Sequence, residues 1–267
     1  MTVVTIGVLA LQGGFQEHLT LLRKAAAHLK SQKASVVKNC DLIFIEVRNK
    51  DDLSRCDGLV IPGGESTTIA LTAARSGLLE PLRSFVKIDR KPTWGTCAGL
   101  ILLSEEANAT TVKKGGQDLI GGLDVRVQRN HFGRQIESFV AEVDLPFLVE
   151  PGDGARPEPS APFPGVFIRA PIVEELLSSK GAPAQDGQQG DSKSDIEVLA
   201  VLPARRTRAK GNDSRAAQLS TDANDIVAVR QGNVFGTSFH PELTSDIRVH
   251  AWWLTQALKQ INSQYLA

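Results

Sequence analysis

Residues 94–100 read Trp94-Gly95-Thr96-Cys97-Ala98-Gly99-Leu100, with Lys91-Pro92 ahead and the apolar run Leu100 to Leu103 behind. This is the pattern of a short buried strand that turns sharply into a helix. A cysteine stands at the turn, between two glycines in the order G-x-C-x-G. Free cysteines are among the most buried residue types, so one reading makes Cys97 a small core hydrophobe. The other makes it a nucleophile on an elbow between strand and helix. Elbow backbone is strained and tolerates only small neighbours. The helix behind it aims N–H groups and a positive dipole end at the sulfur, a setting that favours thiolates. By itself the motif leaves both readings open.

The same grammar of strand, turn and helix runs through the N-terminal half. Residues 3–11 (VVTIGVLAL) form a continuous β-rich run, as parallel strands buried on both faces do. The run ends at Gln12-Gly13-Gly14, after which Phe15, Leu19, Leu22 and Ala26 share one helical stripe. Residues 42–47 (LIFIEV) and 58–61 (GLVI) are further strands. The latter ends at Pro62-Gly63-Gly64-Glu65-Ser66, and helix signals follow from Thr67 to about Ser76 and from Leu78 to Val86. Residues 99–107 read as another helix. Such alternation predicts an α/β domain with a mostly parallel sheet.

The C-terminal half differs. Residues 123–129 and 137–143 alternate as antiparallel strands do, and 165–169, 196–202, 226–230 and 233–239 are further strand candidates. A last helix is expected from about Ser245 to Tyr265. Residues 151–164, 178–195 and 204–224 are rich in Pro, Gly or small polar residues and read as surface-loop inserts in one domain spanning 1–267. The basic stretch ARRTRAK in the third reads as solvated loop.

Composition narrows the function classes. Thirty basic and thirty acidic residues give a net charge of zero, which points away from nucleic-acid and membrane-surface binding. No apolar run reaches the roughly 18 residues that span a bilayer, and the N-terminal apolar stretch has no basic region before it, so it reads as a strand and not a signal peptide. Cys40, Cys56 and Cys97 are odd in number and widely spaced, against both a disulfide framework and a zinc site. A reducing, cytoplasmic setting follows.

A cysteine nucleophile needs a base, and the base an orienting group. Of five histidines, His28 and His250 read as surface residues, His18 as a rim residue and His131 as a loop residue. His240 directly follows the strand VFGTSF and begins His240-Pro241-Glu242. The carboxyl ends of strands are where α/β folds build their sites, and Glu242 is near enough to receive a ring N–H. The alternative is a capped turn with an incidental His and Glu. The loop 62–68 is either an ordinary turn capped by Ser66 or Thr67, or a source of backbone N–H donors for an oxyanion. It lacks a P-loop lysine, which excludes nucleotide phosphate binding there.

G-T-C-A-G at 95–99, P-G-G-E-S-T at 62–67 and H-P-E at 240–242 together resemble a class I glutamine amidotransferase. With V-L-A-L-Q-G near the start, R-N-x-F-G-R-Q at 129–135, G-V-F-I-R-A-P at 165–171 and F-H-P-E-L-T at 239–244, the chain is similar to the glutaminase subunits of pyridoxal 5′-phosphate synthases. The resemblance implies a flavodoxin-like three-layer α/β/α sandwich and hydrolysis of glutamine to glutamate and ammonia. It implies a separate synthase subunit as partner and no metal or organic cofactor. Carried over by motif, Cys97 is the nucleophile, His240 the base and Glu242 its orienter. Gly64, Glu65 and Ser66 match the glutamine-holding loop, with Gly63, Gly64 and Ala98 as oxyanion donors. Arg129, Ile168 and Arg169 match substrate contacts, and Gln12 an interface with the synthase. The rivals are another cysteine hydrolase of this fold and a scaffold protein with a chance cysteine.

Overall fold

In the computed structural model, the described residues are 2–38, 40–108, 117–129, 138–148, 161–177, 195–203 and 225–266. His131, the motif residues 130–135 and almost all of the three proposed inserts lie outside them. Phe163 and Pro164, at the end of the first insert, are described and belong to a strand.

Five parallel strands make one half of the sheet: β1 (Thr2–Leu9), β2 (Cys40–Val47), β3 (Gly58–Ile61), β4 (Thr93–Thr96) and β12 (Val234–Thr237). Their order is β2-β1-β3-β4-β12. This is the 2-1-3-4-5 order of flavodoxin-like folds, whose ligands sit outside the carboxyl ends of the strands. Period-two alternation splits each strand between two cores. Val4, Ile6, Val8 and Val60 face one, while Leu59 and Ile61 face the other. That is why these strands read as unbroken apolar runs.

Helices α1 (Phe15–Ser31) and α6 (Arg248–Leu266) cover the first face and pack on each other. The short α2 (Lys50–Ser54), with α3 (Ser66–Arg75), α4 (Leu79–Arg83) and α5 (Ala98–Leu103), covers the second. The three layers match the expected sandwich. A π turn at Ser84–Ile88 continues α4. Helix α6 starts at Arg248, later than expected, because the Asp246 carboxylate accepts the Arg248 N–H at 2.9 Å and closes the turn before it.

The helix expected over 99–107 ends early. The Ser104 hydroxyl donates to Ile101 O and its backbone turns extended, so Ser104–Ala107 forms β5, parallel to β6 (Leu123–Gln128). Beyond β12 the sheet continues through β11 (Asp225–Gln231), β9 (Ile172–Leu176), β6 and β5, with β10 (Glu197–Leu202) also on β11. The pairs β11–β12, β11–β9, β11–β10 and β6–β9 are antiparallel. Strands β7 (Ser138–Val143) and β8 (Phe163–Ile168) form a separate antiparallel pair.

Candidate active site

Cys97 sits between β4 and α5 with φ 49° and ψ −100°, a left-handed backbone that a non-glycine residue adopts only under constraint. Its N–H donates to Thr237 O at 2.8 Å, and its sulfur lies 3.9 Å from Ile168 O. The Ala98 N–H is at the first helical position, where a helix offers it no internal acceptor.

His240 leaves the end of β12, and its N–H donates to Val166 O of β8 at 2.8 Å. The hairpin β7–β8 therefore braces the histidine from outside the main sheet. Pro241 opens a 3₁₀ turn, which bends Glu242 back so that its Oε1 stands 2.7 Å from His240 Nδ1. Both side chains are nearly sealed from solvent, at 8% and 4% exposure. Burial opposes charge on the His240 imidazole, but hydrogen bonding and charge from Cys97 and Glu242 outweigh it and push its pKa up to about 10. Burial also opposes the Glu242 charge, and His18 and His240 together hold its carboxyl well below the usual carboxylate range.

These shifts have opposite signs in stability. The Glu242 contribution is present above its ordinary 4.5 and is lost as pH falls through its lower folded value. The His240 contribution is full below 6.5 and is lost as pH rises toward about 10. Wild type is thus expected to melt above Glu242→Gln near neutrality, with a gap that closes as the buffer is taken below about pH 4. Melting curves across that range check it, and a gap independent of pH would refute it.

The glycine loop packs directly on the base. A methyl group at Gly63 would lie 2.2 Å from His240 Cε1, so only glycine fits. Segment 12–14 holds the loop in place. Gly14 N–H donates to Gly63 O at 3.2 Å, and Glu65 N–H donates to Gln12 Oε1 at 2.8 Å. Gly63 departs from its expected role as an oxyanion donor, because its N–H is given to Thr96 Oγ1 at 2.9 Å. The Thr96 hydroxyl is buried beside it and occupies that donor.

Capping of α3 is also corrected. Glu65, and neither Ser66 nor Thr67, is the N-cap, its carboxylate accepting from Thr67 N–H at 3.1 Å and Thr68 N–H at 2.6 Å. Partial burial opposes its charge, but the hydrogen bonds from Thr68 and Thr67 prevail and lower its pKa. Arg129, at the end of β6, donates through Nη2 to Ser66 Oγ at 3.0 Å and Thr67 Oγ1 at 3.2 Å, and stands 3.9 Å from Glu65. Ile168 and the left-handed Arg169 (φ 45°) are exposed at the end of β8. Cys97, His240, Glu242, Gly63, Gly64, Glu65, Ser66, Ala98 and Gln12 thus gather beyond the carboxyl ends of β1, β3, β4 and β12, and Arg129 and Ile168 meet them from the ends of β6 and β8.

Four neighbours escaped sequence reasoning. His18 and His250, read as rim and surface, are both fully buried. Both lie on the apolar stripes of their helices, and that period was the missed signal. Thr96 carries the loop. Gln117, whose Oε1 accepts from the Ser66 and Thr67 hydroxyls, gave no sequence signal. Cys40 and Cys56 are buried free thiols, and burial pushes Cys56 up to about 12. Among the described residues no group of three or more His, Cys, Asp or Glu could hold a metal ion, and no helix is long and apolar enough to cross a membrane.

Comparison with known proteins gives a consistent answer. A probable pyridoxal 5′-phosphate synthase subunit PDX2 of Arabidopsis thaliana is 41% identical over 255 residues, covering 94% of this chain and 85% of that protein. The pyridoxal 5′-phosphate synthase subunit PdxT of Streptomyces avermitilis is 42% identical over 250 residues, covering 94% and 92%. A crystal structure of a glutamine amidotransferase matches with TM-score 0.63 and 34% identity, covering 94% of this chain and 98% of that one. The SNO glutamine amidotransferase family matches residues 8–201 and 198–259. A cysteine on a strained elbow, an imidazole beside it that is paired with a carboxylate, and a family match along nearly the whole chain agree: this protein belongs to the SNO glutamine amidotransferase family.

Proposed function

We propose that this chain is the glutaminase subunit of a pyridoxal 5′-phosphate synthase. It hydrolyses L-glutamine to L-glutamate and ammonia, and delivers the ammonia to a partner synthase subunit. The observation that carries the reading is the His240–Glu242 pair at 2.7 Å beside a cysteine on a strained elbow.

In this reading Cys97 is the nucleophile, His240 the base and Glu242 the group that orients it. His240 takes the thiol proton, and the sulfur bonds to the side-chain amide carbon of glutamine. The carbonyl electron pair moves to oxygen, which meets the Ala98 and Gly64 N–H groups. One such donor lowers the barrier by about 2.7–4 kcal/mol. The C–N bond then breaks, and nitrogen leaves as ammonia with the proton from His240. The same imidazole deprotonates a water that attacks the thioester, releasing glutamate and restoring the thiol.

Arg129 suits the substrate α-carboxylate through its fork of donors, and Glu65 the α-ammonium. Gly64 and Ser66 complete the holding loop, and Ile168 and Arg169 border it. Gln12 sits at the synthase interface, where any shift of its side chain reaches the loop through Glu65 N–H. One domain over 1–267 carries these parts, with inserts near 151–164, 178–195 and 204–224. A cytoplasmic location fits three unpaired cysteines.

The deciding measurement is glutamate release with and without the purified synthase subunit. Release is expected to be low for the chain alone and to rise when the partner is added, since a partner at Gln12 reaches the glycine loop through Glu65 N–H. No release in either condition would sink the reading.

A further inference from the structure

The proposed mechanism leaves two buried histidines unused. His18 and His250 are both 0% exposed and lie 3.0 Å apart, Nδ1 to Nε2. The other nitrogen of His18, Nε2, is 3.2 Å from Thr96 Oγ1 and 3.3 Å from Glu242 Oε2. Trp94 closes the site from β4, edge-on to both imidazoles, at 5.3 Å from His18 and 4.9 Å from His250. The titratable groups facing His18 are therefore Glu242 and His250.

Proton counting fixes one feature of this cluster. His18 Nε2 faces a hydroxyl oxygen and a carboxylate oxygen, so it carries hydrogen; a bare nitrogen would set its lone pair against the carboxylate. A single proton lies between His18 Nδ1 and His250 Nε2, since both cannot donate to each other. His250 Nδ1 has no hydrogen-bond partner, and burial together with neighbouring His18 holds that imidazole well below its ordinary pKa. His250 is thus a neutral backstop, and it leaves His18 one rotamer in which Nε2–H points at the triad.

Two parts of the site meet at that N–H. Glu242 gives Oε1 to His240, while its buried Oε2 has no aligned hydrogen bond and stands against His18. Thr96 Oγ1 holds the Gly63 N–H, and Gly63 packs on the His240 ring. We infer that His18 is a positioning residue for glutamine hydrolysis: its Nε2–H ties the Glu242 carboxylate and the Thr96 hydroxyl together, fixing the base and the glycine loop in one arrangement. It rests on the glutaminase reading and acts through Glu242 and Thr96, without touching substrate.

The test uses the complex with the synthase subunit and compares His18→Phe, His18→Asn and His18→Gln. Glutamine amide nitrogen reaches the Nε2 position, whereas that of asparagine falls short. Losing a hydrogen bond to a charged group costs on the order of tenfold to a hundredfold. The Phe and Asn variants are expected to lose that much kcat with KM little changed, and Gln to recover most of it. In a Glu242→Ala background the same substitutions are expected to have smaller effects, because one of the two groups they act through is gone. If Phe does not fold, the Asn and Gln pair and its double-variant cycle carry the comparison. A folded Phe or Asn variant with wild-type kcat overturns the role, as does Gln no better than Asn, or an undiminished effect in the Glu242→Ala background. Wild-type complex that releases no glutamate overturns this role and the glutaminase reading together; release with His18 variants unaffected overturns the role alone.

Discussion

Cys97→Ala is expected to leave a folded protein that assembles with its partner and turns over glutamine at least about 10⁴-fold more slowly, the scale on which loss of a covalent nucleophile acts. The fold should survive for a specific reason. Alanine keeps the Cβ and therefore the same steric conflict at φ 49°, so the substitution neither adds nor relieves backbone strain. It removes one sulfur atom, which approaches Ile168 O at 3.9 Å and hydrogen-bonds to His240. Losing these contacts costs little against the fold as a whole, whereas the chemistry depends entirely on the sulfur. Glutamate release by the complex, with circular dichroism as the control for folding, is the measurement. A glutamine-like diazo ketone should label the wild type once, at Cys97, and leave the variant untouched. Residual turnover above about one per cent would contradict a covalent mechanism, since catalysis without the nucleophile rests on binding and oxyanion contacts alone.

The elements that position this chemistry were legible in the sequence because each carried its own local signal. The runs at 3–11 and 58–61 end in glycine turns, and these two and the run at 42–47 are all strands of the parallel half-sheet. His240 and Glu242 were found because a Pro between them makes a fixed turn at a strand end. What stayed hidden was tertiary. Ser104 ends α5 by bonding to Ile101 O, a choice that depends on β6 lying alongside. The Gly63 N–H was read as free because its partner, the Thr96 hydroxyl, comes from a different strand 33 residues away. His18 and His250 were read by residue type, as polar and therefore outside. Their positions on the apolar stripes of α1 and α6 said inside, and the stripe was right. A buried polar residue at a core position must find partners, and here those partners are the triad itself.

The second large effect concerns Gly99, the second residue of α5. A methyl group there would stand 2.1 Å from Ile61 O and 3.0 Å from Ile61 C, at the end of β3 where the glycine loop begins. Both are backbone atoms and cannot rotate away. Two forces oppose each other in Gly99→Ala. Alanine favours a helix interior over glycine by up to about 1 kcal/mol, while overpacking a close contact costs about 1–3 kcal/mol and more when backbone must move. An ordinary contact needs more than an extra ångström here, so overpacking wins. A net loss of about 2 kcal/mol is expected, a fall of roughly 4–8 °C in melting temperature for a chain of this size. Activity should fall further than stability, because relief requires α5 to move away from β3, and Cys97 is the residue that joins α5 to β4. Gly95→Ala presses on the same contact from the opposite side, since its added methyl would lie 2.4 Å from Gly99 C. The two glycines that flank the cysteine therefore set one distance, that between the nucleophile's helix and the strands carrying the oxyanion loop. A Gly99→Ala variant as stable and as active as wild type would show that this distance has slack, and that the second glycine of G-x-C-x-G is dispensable.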